Sequence, residues 1–386
     1  MNENAWETLL GETVQFTQRL IQTPSMPTEE GEIAQVVVRE MEKLGYDEVW
    51  LDTVGNVNGR VYGHYRDLPA LVFNSHLDHV DPGDLELWPY PPYSGEIHDG
   101  RIFGRGACDI KGPMAVQVYS LAALLREGLR PRRDTVVSAV VQEETGGAGA
   151  QYWIRHLDYP VEMLILGEPS SNQISLGHRG IWHTWVRFNG RSVHASVPES
   201  GVNPNYAAAE FLCRLNSRKD ELRLHPILGV TSVAPTIIEV DTKSPNVTPA
   251  WTRILLDFRT GTESVSSLKA FIQSAAEGLD ATIEGPGPGW GEVEEDAPIR
   301  GYYTSPESTR LKRAHQAITE GMGWKPDLIS YKFATDGRHI QAETAEICIL
   351  GYSPAEEQLA HTVIESISIE MMSDSLRGYA QLALSY

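Results

Sequence analysis

His76, Asp78, Asp109, Glu143, Glu144, Glu168 and His361 are the residues whose types and spacing could do chemistry together. The first six follow short apolar runs. Ala70-Leu71-Val72-Phe73 leads into Ser75-His76-Leu77-Asp78, and Thr135–Val141 ends at Gln142-Glu143-Glu144. Met163-Leu164-Ile165-Leu166-Gly167 ends at Glu168, and Asp109 sits in the glycine-containing stretch Gly104–Gly112. In extended backbone, residues two apart share a side, so Asp78 could hold the His76 ring as an outer partner of a metal ligand. Alone, a His-x-Asp pair is more often an ordinary hydrogen-bonded histidine. Asp109, flanked by glycines, suits a bridging ligand and equally a helix cap. Adjacent carboxylates at Glu143 and Glu144 repel unless a cation or shared proton offsets them. Alternation along a strand would let one bind metal while the other serves as general base, and an exposed acidic turn is the plainer alternative. His361, read as the start of a late helix, completes a set of imidazole and carboxylate donors without thiolate. Such a set suits Zn²⁺, with Co²⁺ or Mn²⁺ as substitutes. Five ligands with one shared carboxylate suit two cations about 3.5–4 Å apart.

The elements that must carry these residues follow from pattern. Short β-branched runs closed by polar residues predict buried strands, and ligands in such sheets collect beyond the strands' carboxyl ends. Helices are predicted near 5–21, over Glu29–Leu44 with Thr28 as N-cap and Gly45 as stop, near 112–127 and near 306–321. Strands and helices alternate to about residue 175, which is α/β organisation. The pattern then changes. Trp182, Thr184, Val186 and Phe188 alternate with His183, Trp185 and Arg187. A helix is predicted at about 204–222, and strands at Thr236–Val240 and Trp251–Phe258. This predicts a small α+β domain inserted into the larger one, returning through Gly285-Pro286-Gly287-Pro288-Gly289. The expected divisions are 1–178, 179–288 and 289–386.

Bulk properties narrow the class. The chain has 386 residues and a formal net charge of −20, which opposes binding to nucleic acid or an anionic membrane. Its three cysteines, Cys108, Cys213 and Cys348, form no metal-type or disulfide-type spacing, and no apolar stretch approaches the roughly 20 residues that span a bilayer. No signal-peptide pattern opens the chain, so a cytoplasmic protein is expected.

The order of these motifs resembles the zinc-dependent amidohydrolase and peptidase family that includes acetylornithine deacetylase, succinyl-diaminopimelate desuccinylase, aminoacylase and glutamate carboxypeptidase. The resemblance spans essentially the whole chain. It implies a mixed, mostly parallel sheet flanked by helices, with an inserted lid and dimerisation domain. His76, Asp109 and Glu168 would bind one zinc ion, and Asp109, Glu144 and His361 a second. Glu143 would be the general base, Asp78 would orient His76, and the Asp109–Ile110 peptide would be cis. Gly190–Asn203 looks like the lid motif, whose histidine, here His194, stabilises the oxyanion in the partner subunit of dimeric members. Asn246 and Arg259 match positions that hold the substrate's α-carboxylate. The implied reaction is hydrolysis of the amide bond of a small N-acyl amino acid; a dipeptidase or carboxypeptidase is the alternative within the family, and a noncatalytic relative the alternative outside it. Lys332–His339 matches the family's Thr-Asp turn only in part, and Asn203-Pro204-Asn205 replaces the commoner Asn-Ala. Tyr331, Lys332 and Arg338 are candidates to line the side-chain pocket.

Overall fold

A computed structural model describes residues 1–261, 263–286, 296, 299 and 301–386. The chain forms two compact units: Met1–Gly177 with Tyr302–Tyr331 and Thr335–Tyr386, and His178–Gly301 with Lys332–Ala334. Gly287, Pro288 and Gly289 of the expected return hinge, and the expected division at 288/289, lie outside the described residues. No helix among the described residues is long and apolar enough to cross a membrane.

The first unit is built on a nine-stranded mixed sheet. Its order is Glu48–Leu51, Val57–Val61, Thr135–Val140, Ala70–His76, Val161–Leu166, Cys348–Gly351, Ile174–His178 and Tyr302–Tyr303, with Leu328–Tyr331 also paired to Ile174–His178. The four strands from Thr135–Val140 to Cys348–Gly351 run parallel, and antiparallel neighbours flank them. Every residue of Ala70–His76 and Thr135–Val140 is buried. That is why these strands read as continuous apolar runs rather than alternating ones. Gly112–Arg126 is the central covering helix. It is buried continuously from Gly112 to Leu124 and packs against Ala70–His76 and the helices Glu3–Ile21 and Ile369–Ser385. Its sequence is apolar almost all round, as a helix enclosed by others requires.

Two local expectations are corrected. Thr28 does not cap the second helix: its φ is 75°, and the helix begins at Gly31 with Glu30 at the N-cap position and no side-chain cap. The Glu30 carboxylate is used elsewhere, accepting a hydrogen bond from Gln142 N at 3.1 Å. His361 does not start a helix. It lies between the 3₁₀ turn Glu357–Leu359 and the strand Ser366–Ser368, and the helix begins at Ile369 because Ser368 supplies the cap, its Oγ accepting from Met371 N.

The second unit carries a four-stranded antiparallel sheet in the order Ser232–Val240, Trp251–Thr260, Gly180–Asn189, Ala281–Pro286. Alternation places Trp182, Val186, Phe188, Ile254, Leu256 and Phe258 on one face, packed with Phe211 and Leu215 of helix Pro204–Ser217 and Leu268 and Ile272 of helix Val265–Ala275. Arg187 and Arg253 alternate with these core residues, and their guanidinium groups lie over the Trp251 ring at 5.2 and 5.5 Å.

Candidate metal centre

Strand register decides which side chains meet. Val140 lies opposite His76, and Leu166 opposite Asn74. The three parallel strands therefore end nearly level, and the chain just beyond them brings Glu143, Glu144 and Glu168 to the edge that His76 occupies. Asp109 arrives from the loop before the central helix. Gly104 has φ +151°, and a Cβ there would lie 2.5 Å from Ile21 Cγ2 and 2.8 Å from the Pro92 carbonyl oxygen, so only glycine lets that loop pack. The Asp109–Ile110 peptide is cis.

The two oxygens of Asp109 face different imidazoles. His76 Nε2 is 3.0 Å from Oδ1, and His361 Nε2 is 3.1 Å from Oδ2. His361 Nε2 is also 3.0 Å from Glu144 Oε1. Donor atoms of His76, Asp109 and Glu144 lie within 4.8 Å of one another, close enough to share one ion. At His76 the second ring nitrogen is 3.0 Å from the Asp78 carbonyl oxygen and 3.5 Å from its carboxylate. The Asp78 carboxylate does more than face His76. Fully buried, it accepts from Glu143 N through Oδ1 and Glu144 N through Oδ2, each at 3.1 Å. The expectation that strand alternation separates Glu143 from Glu144 is therefore wrong. The strand ends at Val140, Gln142 turns the chain at φ 59°, and the pair occupies a 3₁₀ turn held by Asp78 and Glu30. Non-glycine residues rarely adopt that backbone region; His361 does so too, at φ 62°.

Electrostatics test whether cations fit. Burial, and next the charge of Glu168, push Glu143 well above the usual carboxylate range. Burial and then Asp109 do the same to Glu168. Asp109 lies below its usual value: burial would raise it, but hydrogen bonds from His361 and His76 prevail. His361 is raised to about 10 by its bonds to Asp109 and Glu144. So many carboxylates at one edge demand protons or metal cations as compensation. The donor chemistry is nitrogen and oxygen only. Cys108, although next to Asp109, is buried, with its Sγ on the Glu356 carbonyl at 3.1 Å. The residues present thus fit hard or borderline divalent ions.

The model of peptidase family M20/M25/M40 matches residues 72–385. The chain belongs to this family. It is 26% identical to succinyl-diaminopimelate desuccinylase of Alkalilimnicola ehrlichii over 383 residues, covering 96% of this chain and 98% of that one. Its fold is similar to that of aminopeptidase PepT from Bacillus cereus, with TM-score 0.76, 21% identity and 98% of each chain covered. It is also similar to the Bacillus subtilis YXEP protein, a dinuclear metal-binding peptidase from the M20 family, with TM-score 0.71, 15% identity and 98% of each chain covered. The protein is accordingly a metal-dependent hydrolase of the M20 family, and the noncatalytic alternative is set aside.

In this M20 chain, His194, Asn246 and Arg259 belong to the second unit. His194 is exposed. Its Nδ1 accepts from Ser196 N at 3.2 Å and lies 2.7 Å from Ser196 Oγ, which leaves Nε2 to carry the proton outward. Asn246 lies beside it, its carbonyl accepting from Ala195 N at 2.9 Å. Arg259 is gripped by Asp257 on the same strand, at 2.9 and 3.0 Å, and Asp257 also pairs with His183 at 3.0 Å. Tyr331 does not line an open pocket: it is buried, with its hydroxyl on the Glu168 carbonyl at 3.0 Å. Sequence reasoning underrated Asp336. It is 2% exposed, burial raises it to about 7, and its Oδ2 has no hydrogen-bond partner among the described residues. It acts electrostatically on both Glu143 and Glu168. The Thr-Asp turn was visible in the sequence; which buried carboxylates it would face was not.

Proposed function

We propose that this enzyme hydrolyses the amide bond of a small N-acyl amino acid, as a cytoplasmic homodimer using two zinc ions per chain. His76, Asp109 and Glu168 hold one cation and Asp109, Glu144 and His361 the other, with Co²⁺ or Mn²⁺ as possible replacements. The observation that carries this reading is Asp109 offering each oxygen to a different imidazole, at 3.0 and 3.1 Å. The desuccinylase relative supports the acyl-amino-acid class over a dipeptide. When bound, the cations supply Lewis acidity that brings the pKa of the attacking water towards about 7. Glu143 takes a proton from that water as the water oxygen bonds to the amide carbonyl carbon, and delivers it to the nitrogen as the C–N bond breaks, releasing a carboxylic acid and a free amine. A carboxylate that burial holds above the usual carboxylate range suits a group that must both accept and return a proton. Asp78 fixes Glu143 and Glu144 through their backbone N–H groups. His194, with Nε2–H directed outward, donates to the developing oxyanion in trans within the dimer. Arg259, oriented by Asp257, has donors left for the substrate carboxylate, with Asn246 nearby to share it.

A panel of N-succinyl and N-acetyl amino acids and dipeptides, assayed with and without chelator, tests the reading. Turnover of the acylated compounds that chelator abolishes is expected. Turnover of dipeptides alone would move the chain to the peptidase branch. Light scattering should give twice the monomer mass.

A further inference from the structure

Glu365 lies four residues after His361 and is completely buried. Its Oε1 accepts from two successive backbone N–H groups, Cys108 N at 3.0 Å and Asp109 N at 3.1 Å. Its Oε2 is paired with Nη1 of Arg105, whose side chain is 3% exposed and set over the Trp88 ring. The main chain is tied in the same place: the Glu365 carbonyl accepts from Gly104 N at 3.0 Å, and Ser366 lies opposite Phe103 in an antiparallel pair. The segment that presents His361 is thus joined by a carboxylate and a strand pairing to the loop that presents Asp109. The arrangement repeats that of Asp78, which holds the N–H groups of Glu143 and Glu144.

A bridging carboxylate spends both oxygens on its ligands, so its main chain must be fixed by other groups. His76 ends a strand of the sheet, and Glu168 lies two residues beyond another, with its carbonyl held by the Tyr331 and Ser353 hydroxyls. His361 and Asp109 both sit on loops, and His361 is half exposed in a left-handed backbone conformation. We propose that Glu365, locked by Arg105, is a positioning residue that holds Asp109 in register with His361 and so sets the affinity of the cation site made by Asp109, Glu144 and His361. This rests on the two-cation reading above.

The test compares wild type with Glu365→Gln and Arg105→Lys. Zn²⁺ binding is followed by competition with a chromogenic chelator, and Co²⁺ coordination by its visible spectrum. Circular dichroism and melting of the metal-free proteins check folding. The expected result for folded Glu365→Gln is a first equivalent within about threefold of wild type, a second weakened about 10–100-fold, and an altered Co²⁺ spectrum for the second ion only. Arg105→Lys keeps a cation opposite Oε2; it should show a smaller loss at the same equivalent and serves alone if Glu365→Gln does not fold. Two equivalents of unchanged affinity in the folded variants, or equal weakening of both, would overturn the proposal and leave the two-cation reading standing. A wild type that binds fewer than two equivalents would overturn that reading itself.

Discussion

At the scale of single residues, the site separates groups that hold cations from a group that moves protons, and substitutions should separate them too. The Asp109 carboxylate has an imidazole against each oxygen, whereas the Glu143 carboxylate is shaped mainly by burial and the charge of Glu168. Glu143→Ala should therefore keep wild-type metal content and lose turnover by about 10²–10⁴ or more. Asp109→Ala should lose metal from both sites, read by elemental analysis after gel filtration. Retained metal in Asp109→Ala would remove the bridge from the account, and wild-type rates in Glu143→Ala would remove the base.

At the scale of elements, turns and helices hold those residues in place. Gly147 follows the Glu143–Thr145 turn with φ +72°, and a Cβ there would lie 2.3 Å from Asp336 Oδ1 and 2.5 Å from the His339 ring. Gly147→Ala should cost about 1–3 kcal/mol, from the left-handed backbone and the overlap together, seen as a lower urea midpoint at unchanged slope. Glu40 on helix Gly31–Leu44 takes hydrogen bonds from Tyr119, Lys43 and Arg19, so it joins three helices. Burial would raise its pKa, but Tyr119, then Lys43 and Arg19, bring it below the usual value. The charged form is thus favoured by folding. Its contribution is complete above the ordinary glutamate range and disappears as pH falls through the depressed folded value. Wild type should lose stability to Glu40→Gln on acidification, the gap of about 1–3 kcal/mol at pH 7 closing below about pH 4, as urea titrations between pH 7 and 3 would record. A gap independent of pH would assign Glu40 a packing role only. These elements also mark where sequence reading stops. Apolar runs ending in His76 and Glu168 were legible because strand burial writes itself into local pattern. The turn at Glu143, the non-helical setting of His361 and the partners of Glu30, Asp78 and Glu365 were not. Glu30, Asp78 and Glu365 each satisfy backbone groups far away in the chain, and periodicity carries no trace of that pairing. Arg259 shows the same limit: the strand was plain, but its grip by Asp257 was not.

At the scale of the whole molecule, all five candidate ligands lie in the first unit, while His194, Asn246 and Arg259 lie in the second. Each unit has its own core, so damage to one should be read differently from damage to the other. Phe258 is completely buried in the second core, with its ring 5.5 Å from that of Trp182. Phe258→Ala should destabilise that unit by about 3–5 kcal/mol, the transfer and cavity terms of a large aromatic side chain adding. Metal content should stay at the wild-type level. Calorimetry distinguishes the units because a ligand stabilises only the fold that binds it, by RT ln(1 + [L]/Kd). Added Zn²⁺ should raise the transition of the first unit equally in wild type and Phe258→Ala, while the substitution lowers the other transition whether or not Zn²⁺ is present. The net charge of −20 assists cation capture in both proteins alike. If Phe258→Ala instead lost Zn²⁺ while the first unit's transition persisted, the second unit would have to supply a ligand, and the donor set drawn from His76, Asp109, Glu144, Glu168 and His361 would be incomplete.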